Sequence, residues 1–128
     1  MTEKTKSILL VDDNLTVRRG LRQMFESAGF VCSESENGAE AVECVEQLKP
    51  DLIVLDFSMP VMNGLQAAPL LKKKLPNAPI IMFTMFVSQQ LTEIAIAAGV
   101  AVVVAKDQAA THLVSQAKSL LKIPFDAG

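Results

Sequence analysis

Polar side chains that could do chemistry stand at the ends of four apolar runs in this 128-residue sequence. The most informative is Asp56, which directly follows four branched apolar residues. Such a run is typical of a strand that is buried on both faces in the middle of a parallel sheet. Three other runs lead to Asp12 and Asp13, to Thr84 and to Lys106. Open α/β folds place their sites where the carboxyl ends of parallel strands meet.

The residue types at these strand ends favour a metal site that also binds an anion. Three carboxylates crowded together repel, and in isolation one of them would be driven to stay protonated. Mg²⁺, or Mn²⁺ in its place, resolves this repulsion because it binds carboxylate and carbonyl oxygens and commonly bridges to a phosphate. The ammonium of Lys106 adds a mobile positive charge, and the hydroxyl of Thr84 can donate to an anionic oxygen.

Five strands alternating with five helices must position these residues. The apolar runs of strand length are Ser7 to Val11, Phe30 to Ser33, Leu52 to Leu55, Ile80 to Phe83 and Val100 to Val104. Between them, apolar residues recur at intervals of three and four, which is typical of amphipathic helices. The alternation predicts an α/β fold with a doubly wound parallel sheet and right-handed crossovers. We expect the flavodoxin-like (βα)5 strand order 2-1-3-4-5, with its switch point between the first and third strands.

Helix boundaries carry three further predictions. Asp13 or Asn14 is expected to cap the first helix, and Asp107 is a candidate N-cap for the last one. The third helix is predicted over roughly Gly64 to Leu75, with Pro69 beyond its first turn. A proline there removes one backbone hydrogen bond and should kink or delay the helix.

Length and composition limit the class of protein. We expect one domain over residues 1–128. No apolar run is long enough to span a membrane and no segment resembles a signal peptide, so a cytoplasmic location is the default expectation. The net charge of −2 gives no electrostatic reason to expect nucleic-acid binding. Cys32 and Cys44 lack metal-ligand or redox-motif spacing and are expected to be reduced thiols.

The polar residues together resemble a known family. Asp12-Asp13, the stretch from Asp56 through Ser58-Met59-Pro60 to Gly64, then Thr84 and Lys106 look like the receiver domain of bacterial two-component response regulators. The chain is similar above all to receivers of regulators that carry a C-terminal helix-turn-helix DNA-binding domain. Whether such an output domain follows in the native protein stays open.

This resemblance implies a role for each residue. Asp56 would accept a phosphoryl group from the phosphohistidine of a sensor histidine kinase. Mg²⁺ would be held by Asp12, Asp13, Asp56 and the backbone carbonyl of Ser58. Two residues, Thr84 and Lys106, would bind the phosphoryl oxygens. They would couple these oxygens to the face built from the fourth helix, fifth strand and fifth helix. A homodimer through this face is plausible. The domain would catalyse only its own phosphorylation and dephosphorylation.

Three positions depart from the family pattern. Val103 stands where the family usually has Tyr or Phe, and a valine has no such rotamer travel. Met85 follows Thr84 in place of a small residue, and its bulk could cover the phosphorylation site. Asp107 replaces the proline often found after the lysine. We therefore expect output through loop and helix rearrangement rather than through an aromatic side chain.

Other functions fit less well. A phosphatase of the haloacid dehalogenase type needs a second acid two residues after the nucleophile, where this chain has Ser58. A nucleotide or flavin binder would need a Gly-rich loop after the first strand, and none is present in the sequence. A degenerate receiver that acts only as a phosphorylation-independent interaction module is the main alternative. The single histidine, His112, is expected on the surface.

Overall fold

Strands and helices alternate along the whole of the described chain. A computed structural model describes residues 5–85, 87–107 and 110–123. The elements in chain order are β1 Ser7–Val11, α1 Leu15–Ser27, β2 Val31–Ser35, α2 Gly38–Leu48, β3 Leu52–Leu55, α3 Gly64–Lys74, β4 Ile80–Thr84, α4 Gln89–Ala97, β5 Val102–Ala105 and α5 Ala110–Leu120. All strand pairs are parallel, and the sheet has the order β2-β1-β3-β4-β5. The predicted fold class and strand order are confirmed.

The core consists of two apolar layers, one on each face of the sheet. Successive strand residues point to opposite faces, so Ile8 and Leu10 belong to one layer and Leu9 and Val11 to the other. Helices α1 and α5 cover the first layer, and α2, α3 and α4 cover the second. Strand β3 is buried along its whole length, as its unbroken run of apolar residues predicted.

Some strand boundaries differ from the prediction. Strand β2 was predicted over Phe30 to Ser33, but it extends to Ser35, which pairs with Val11 of β1. This boundary was wrong because the last three residues of the strand are polar and carry no apolar signal. Strand β4 continues by one residue to Thr84. Strand β5 begins at Val102 rather than Val100, because Val100 donates its N–H back to Ala95 in the turn after α4.

Side-chain caps fix the starts of the helices that lead away from the site. Asn14, not Asp13, caps α1, with its side chain accepting from the N–H of Val17 at 3.0 Å. Asn63 and Gln66 form a reciprocal capping box at the start of α3. Pro69 therefore does not delay that helix, which begins at Gly64 as predicted and continues through the proline.

Two further observations concern the helices. Residues 108 and 109, which separate Asp107 from α5, lie outside the described ranges, so its capping role stays a prediction. Within the described part of the chain, no helix combines the length and the apolar character needed to cross a membrane.

Candidate functional site

The carboxyl ends of the strands bring the acidic residues to one edge of the sheet. Val11 of β1 lies beside Leu55 of β3, so the residues that follow each of them, Asp12 and Asp56, are neighbours. The backbone continues this pairing, since the N–H of Asp56 donates to the carbonyl of Val11 at 2.9 Å. Carboxylate oxygens of Asp12, Asp13 and Asp56 all lie within 4.8 Å of one another. The predicted convergence of these three side chains is therefore present.

Lys106 reaches into the same cluster from β5. Its backbone N–H donates to the carbonyl of Thr84 at 2.7 Å, which extends the β4–β5 ladder by one bond. Its Nζ lies 2.9 Å from Oδ2 of Asp12 and 3.2 Å from Oδ1 of Asp56, so one ammonium bridges both carboxylates. The ring of Phe83 supports the ammonium from 5.9 Å. This arrangement balances part of the negative charge and leaves a net acidic site.

Burial divides the site into a closed and an open half. Asp12, Asp56 and Thr84 are buried, and Asp56 is only 5 % exposed. Asp13 and Ser58 are exposed. A cation or an anion from solvent would therefore approach Asp56 along the side that Asp13 and Ser58 form.

The ionisation of Asp56 reflects this environment. Burial raises the pKa of its carboxyl, and the neighbouring charge of Asp12 raises it further, while Lys106 partly opposes both. For Lys106, burial disfavours the charged form, but the hydrogen bond and the charge of Asp12 outweigh it and raise the pKa of the ammonium. The site thus holds a charged Lys106 beside the carboxyl of Asp56, whose ionised form the lysine only partly stabilises.

The segment between Asp56 and α3 has two unusual backbone features. Val61 has a φ of 69°, and the N–H of Met62 donates to the carbonyl of Pro60 at 2.7 Å, which together form a γ-turn. A β-branched residue rarely adopts this conformation, so the loop stores backbone strain at Val61. A Cβ on Gly64 would lie 2.4 Å from the carbonyl oxygen of Asp56, so only glycine fits there.

The three departures from the family pattern occupy different environments. Met85 is 63 % exposed, so most of its side chain faces solvent. Val103 is half-buried and packs against the layer under α2, α3 and α4. Asp107 is exposed. Whether Met85 covers Asp56, and whether the carbonyl of Ser58 binds a metal, stay predictions.

Residues outside the site match their expected roles. His112 is exposed, as expected for a surface histidine. Both cysteines are free thiols, and burial raises the pKa of Cys32 to about 11. The raised pKa and the burial of Cys32 argue against a reactive nucleophile at that position.

Sequence reasoning missed Arg18. This residue takes a position of the apolar stripe of α1, three residues before Leu21 and seven before Phe25, and it is only 6 % exposed. Its Nη1 donates to the backbone carbonyl of Asp12 at 2.6 Å. A cation within an apolar helical stripe was the available signal, because a buried charge needs a specific partner.

The doubly wound parallel sheet brings an acidic cluster and a lysine to one edge, where the three carboxylates could hold a divalent cation. The model of the response regulator receiver domain matches residues 8–118. The chain therefore belongs to the response regulator receiver domain family.

Individual relatives agree with this assignment. Chemotaxis protein CheY of Thermotoga maritima is 41% identical over 95 residues, covering 73% of this chain and 79% of that protein. The nitrate/nitrite response regulator protein NarL of Escherichia coli K12 is 38% identical over 84 residues, covering 64% of this chain but 39% of that protein. Among solved structures, a LuxR-family two-component response regulator from Aurantimonas sp. SI85-9A1 has a TM-score of 0.88 at 29% identity, covering 93% of this chain and 86% of that one.

Proposed function

We propose that this domain accepts a phosphoryl group on Asp56 from the phosphohistidine of a sensor histidine kinase, in a Mg²⁺-dependent reaction. The observation that carries the proposal is the bridging contact of Lys106 with Asp12 and Asp56, inside a cluster whose carboxylate oxygens lie within 4.8 Å of one another. An in-line phosphoryl transfer needs positioning and charge neutralisation more than covalent help. This cluster is suited to supply both.

The donor set fits a hard divalent cation. Three carboxylates crowd one edge of the sheet, and burial, followed by the charge of Asp12, raises the pKa of Asp56 in spite of Lys106. In this proposal Asp12, Asp13, Asp56 and the carbonyl of Ser58 hold Mg²⁺. The bound ion would supply positive charge next to the transferred phosphoryl group.

The protein's own residues carry the rest of the transfer. A carboxylate oxygen of Asp56 attacks the phosphorus while the bond from phosphorus to the histidine nitrogen breaks, and that nitrogen keeps the electron pair. Lys106, which already contacts Asp56, shifts to the new phosphoryl oxygens, and the hydroxyl of Thr84 donates to one of them. The reaction changes only this domain and its donor, so we regard the domain as a signalling module rather than an enzyme with a separate substrate.

The response to phosphorylation would pass through Thr84 and Lys106 to the face built from α4, β5 and α5. Val103 lacks the rotamer travel of an aromatic residue, so we infer that the loop after β4 and helix α4 move instead. That face is also the proposed homodimer surface. We propose a cytoplasmic location, where the kinase phosphohistidine is accessible, and no direct nucleic-acid binding by this domain.

Intact mass after incubation with phosphoramidate and Mg²⁺ tests the proposal. The native chain should gain the mass of one phosphoryl group, and the gain should disappear with EDTA or in Asp56→Asn. Asp51→Asn is the matched control, because Asp51 binds the N–H of Ser7 at the opposite edge of the sheet. An unmodified native chain would point to the degenerate receiver, an interaction module independent of phosphorylation.

A further inference from the structure

Arg18 of α1 links the residue after β1, Asp12, to Glu34 of β2. One of its nitrogens, Nη1, donates to the carbonyl of Asp12 at 2.6 Å, and Nε donates to Oε1 of Glu34 at 2.9 Å. The other oxygen of Glu34 accepts from Arg22. The hydrogen bonds from these two arginines outweigh the effect of burial and lower the pKa of Glu34, so the carboxylate stays charged. Arg18 is thus itself held in place, on the solvent-shielded side of α1.

Asp12 is held by hydrogen bonds at four separate atoms. Its N–H donates to the carbonyl of Ser35 at 3.2 Å, and its carbonyl accepts from Arg18. Its Oδ1 accepts from the N–H of Asn14 and its Oδ2 from Lys106, both at 2.9 Å. Of these contacts, only the one with Arg18 fixes the carbonyl.

That carbonyl belongs to the peptide plane that joins Asp12 to Asp13. Because the peptide unit is planar, fixing the direction of the carbonyl also fixes where the chain continues into Asp13. Asp13 is exposed, so packing does little to position it. The bond from Arg18 therefore acts on the least buried of the three carboxylates.

We propose that Arg18 is a positioning residue for the metal site: through the carbonyl of Asp12 it orients Asp13 for cation binding. This inference rests on the proposed Mg²⁺ site. The mechanism is geometric rather than electrostatic, since Glu34 balances the charge of Arg18 and the charges that act on Asp56 come from Asp12, Lys106 and Asp13. Partners that orient metal ligands typically contribute a factor of about 10 to 100 in metal affinity.

The affinity of the protein for Mg²⁺ alone, measured by isothermal titration calorimetry, tests this role. Arg18→Met keeps an unbranched chain of similar length but removes both hydrogen bonds, and it should weaken Mg²⁺ binding about 10-fold. Leu21→Ala is the control, because it removes a buried side chain from the same helix without touching Asp12. It should lower the thermal midpoint and leave the Mg²⁺ affinity of the folded protein unchanged.

Arg18→Lys keeps the inference testable if the methionine variant does not fold. The lysine ammonium should keep the hydrogen bond to the carbonyl of Asp12, but unlike the guanidinium it cannot bind Glu34 at the same time. The Mg²⁺ affinity of Arg18→Lys should therefore lie between those of the native protein and Arg18→Met. Native-like Mg²⁺ affinity in a folded Arg18 variant would overturn the positioning role and leave the phosphoacceptor proposal standing. A native chain that binds no Mg²⁺ would overturn both.

Discussion

Two regions of the molecule, the side of α1 and β2 and the side of α4, are held in different ways. On the side of α1 and β2, Arg18 and Arg22 bind Glu34, and Arg18 binds the backbone of Asp12. On the side of α4, the helix buries Ala95 and leaves Ile94 and Ile96 exposed at 55% and 54%. The first side holds the backbone of Asp12, and the second has little buried surface to lose if α4 moves. The proposed switch would need both a rigid site and a mobile neighbour, and we infer from this difference which side has which role.

Lys106 bridges two carboxylates of the site, so its removal should have the largest effect. Lys106→Met removes the ammonium that bridges Asp12 and Asp56 while keeping most of the side-chain volume. We expect the rate of phosphorylation by phosphoramidate at saturating Mg²⁺ to fall by about 100-fold or more. Lys118→Met, at the end of α5, is the control and should keep the native rate. A native rate in Lys106→Met would remove the lysine from the proposed mechanism.

Two glycines, Gly64 beside the carbonyl of Asp56 and Gly20 in α1, should respond to alanine substitution in opposite directions. Gly64→Ala forces a Cβ against the carbonyl of Asp56 and should lower the free energy of unfolding by about 1–3 kcal/mol. Gly20→Ala, inside α1 with nothing within 4 Å of the added Cβ, should raise it by about 0.5–1 kcal/mol. Urea denaturation at neutral pH measures both. Equal effects at the two positions would contradict the close approach of the loop to Asp56.

The raised pKa of Asp56 predicts a pH-dependent stability. The folded state binds the Asp56 proton more tightly than the unfolded state, so this group destabilises the fold as pH rises through the ordinary carboxyl range. Asp56→Asn should therefore raise the Tm by a few degrees at neutral pH without metal. The gain should shrink as the pH falls below the ordinary carboxyl range, where both states carry the proton, and also in Mg²⁺, which would offset the charge in the native protein. Thermal scans in EDTA and in Mg²⁺ at several pH values check this, and a gain that persists at low pH would contradict it.

The smallest expected effect lies on the α4 side. Ile96→Ser removes an exposed apolar side chain and should change the free energy of unfolding by no more than about 0.5 kcal/mol. Leu113→Ala, in α5 on the opposite face of the sheet, removes a fully buried one and should cost about 2–5 kcal/mol. Hydrogen exchange should likewise be faster in α4 than in α1. Slower exchange in α4 would reverse the assignment of the mobile side.

The sequence was sufficient to predict the order of the strands and the meeting of Asp12, Asp13, Asp56 and Lys106. Both follow from apolar runs and from the rule that parallel strands share a carboxyl edge. The extent of β2 was not predictable in this way, because its last residues are polar and carry no apolar signal, although they pair with β1. The positive φ of Val61 was also missed, since nothing about a valine signals a γ-turn.

Locating the phosphoryl group within the chain tests the central claim most directly. After reaction with phosphoramidate and Mg²⁺, rapid digestion and mass analysis at low temperature should place a single phosphoryl group on the peptide that contains Asp56. The label should be absent from the Asp56→Asn protein treated identically. A label on a peptide without Asp56, or a native chain that stays unmodified while a known receiver domain reacts under the same conditions, would contradict the proposed function.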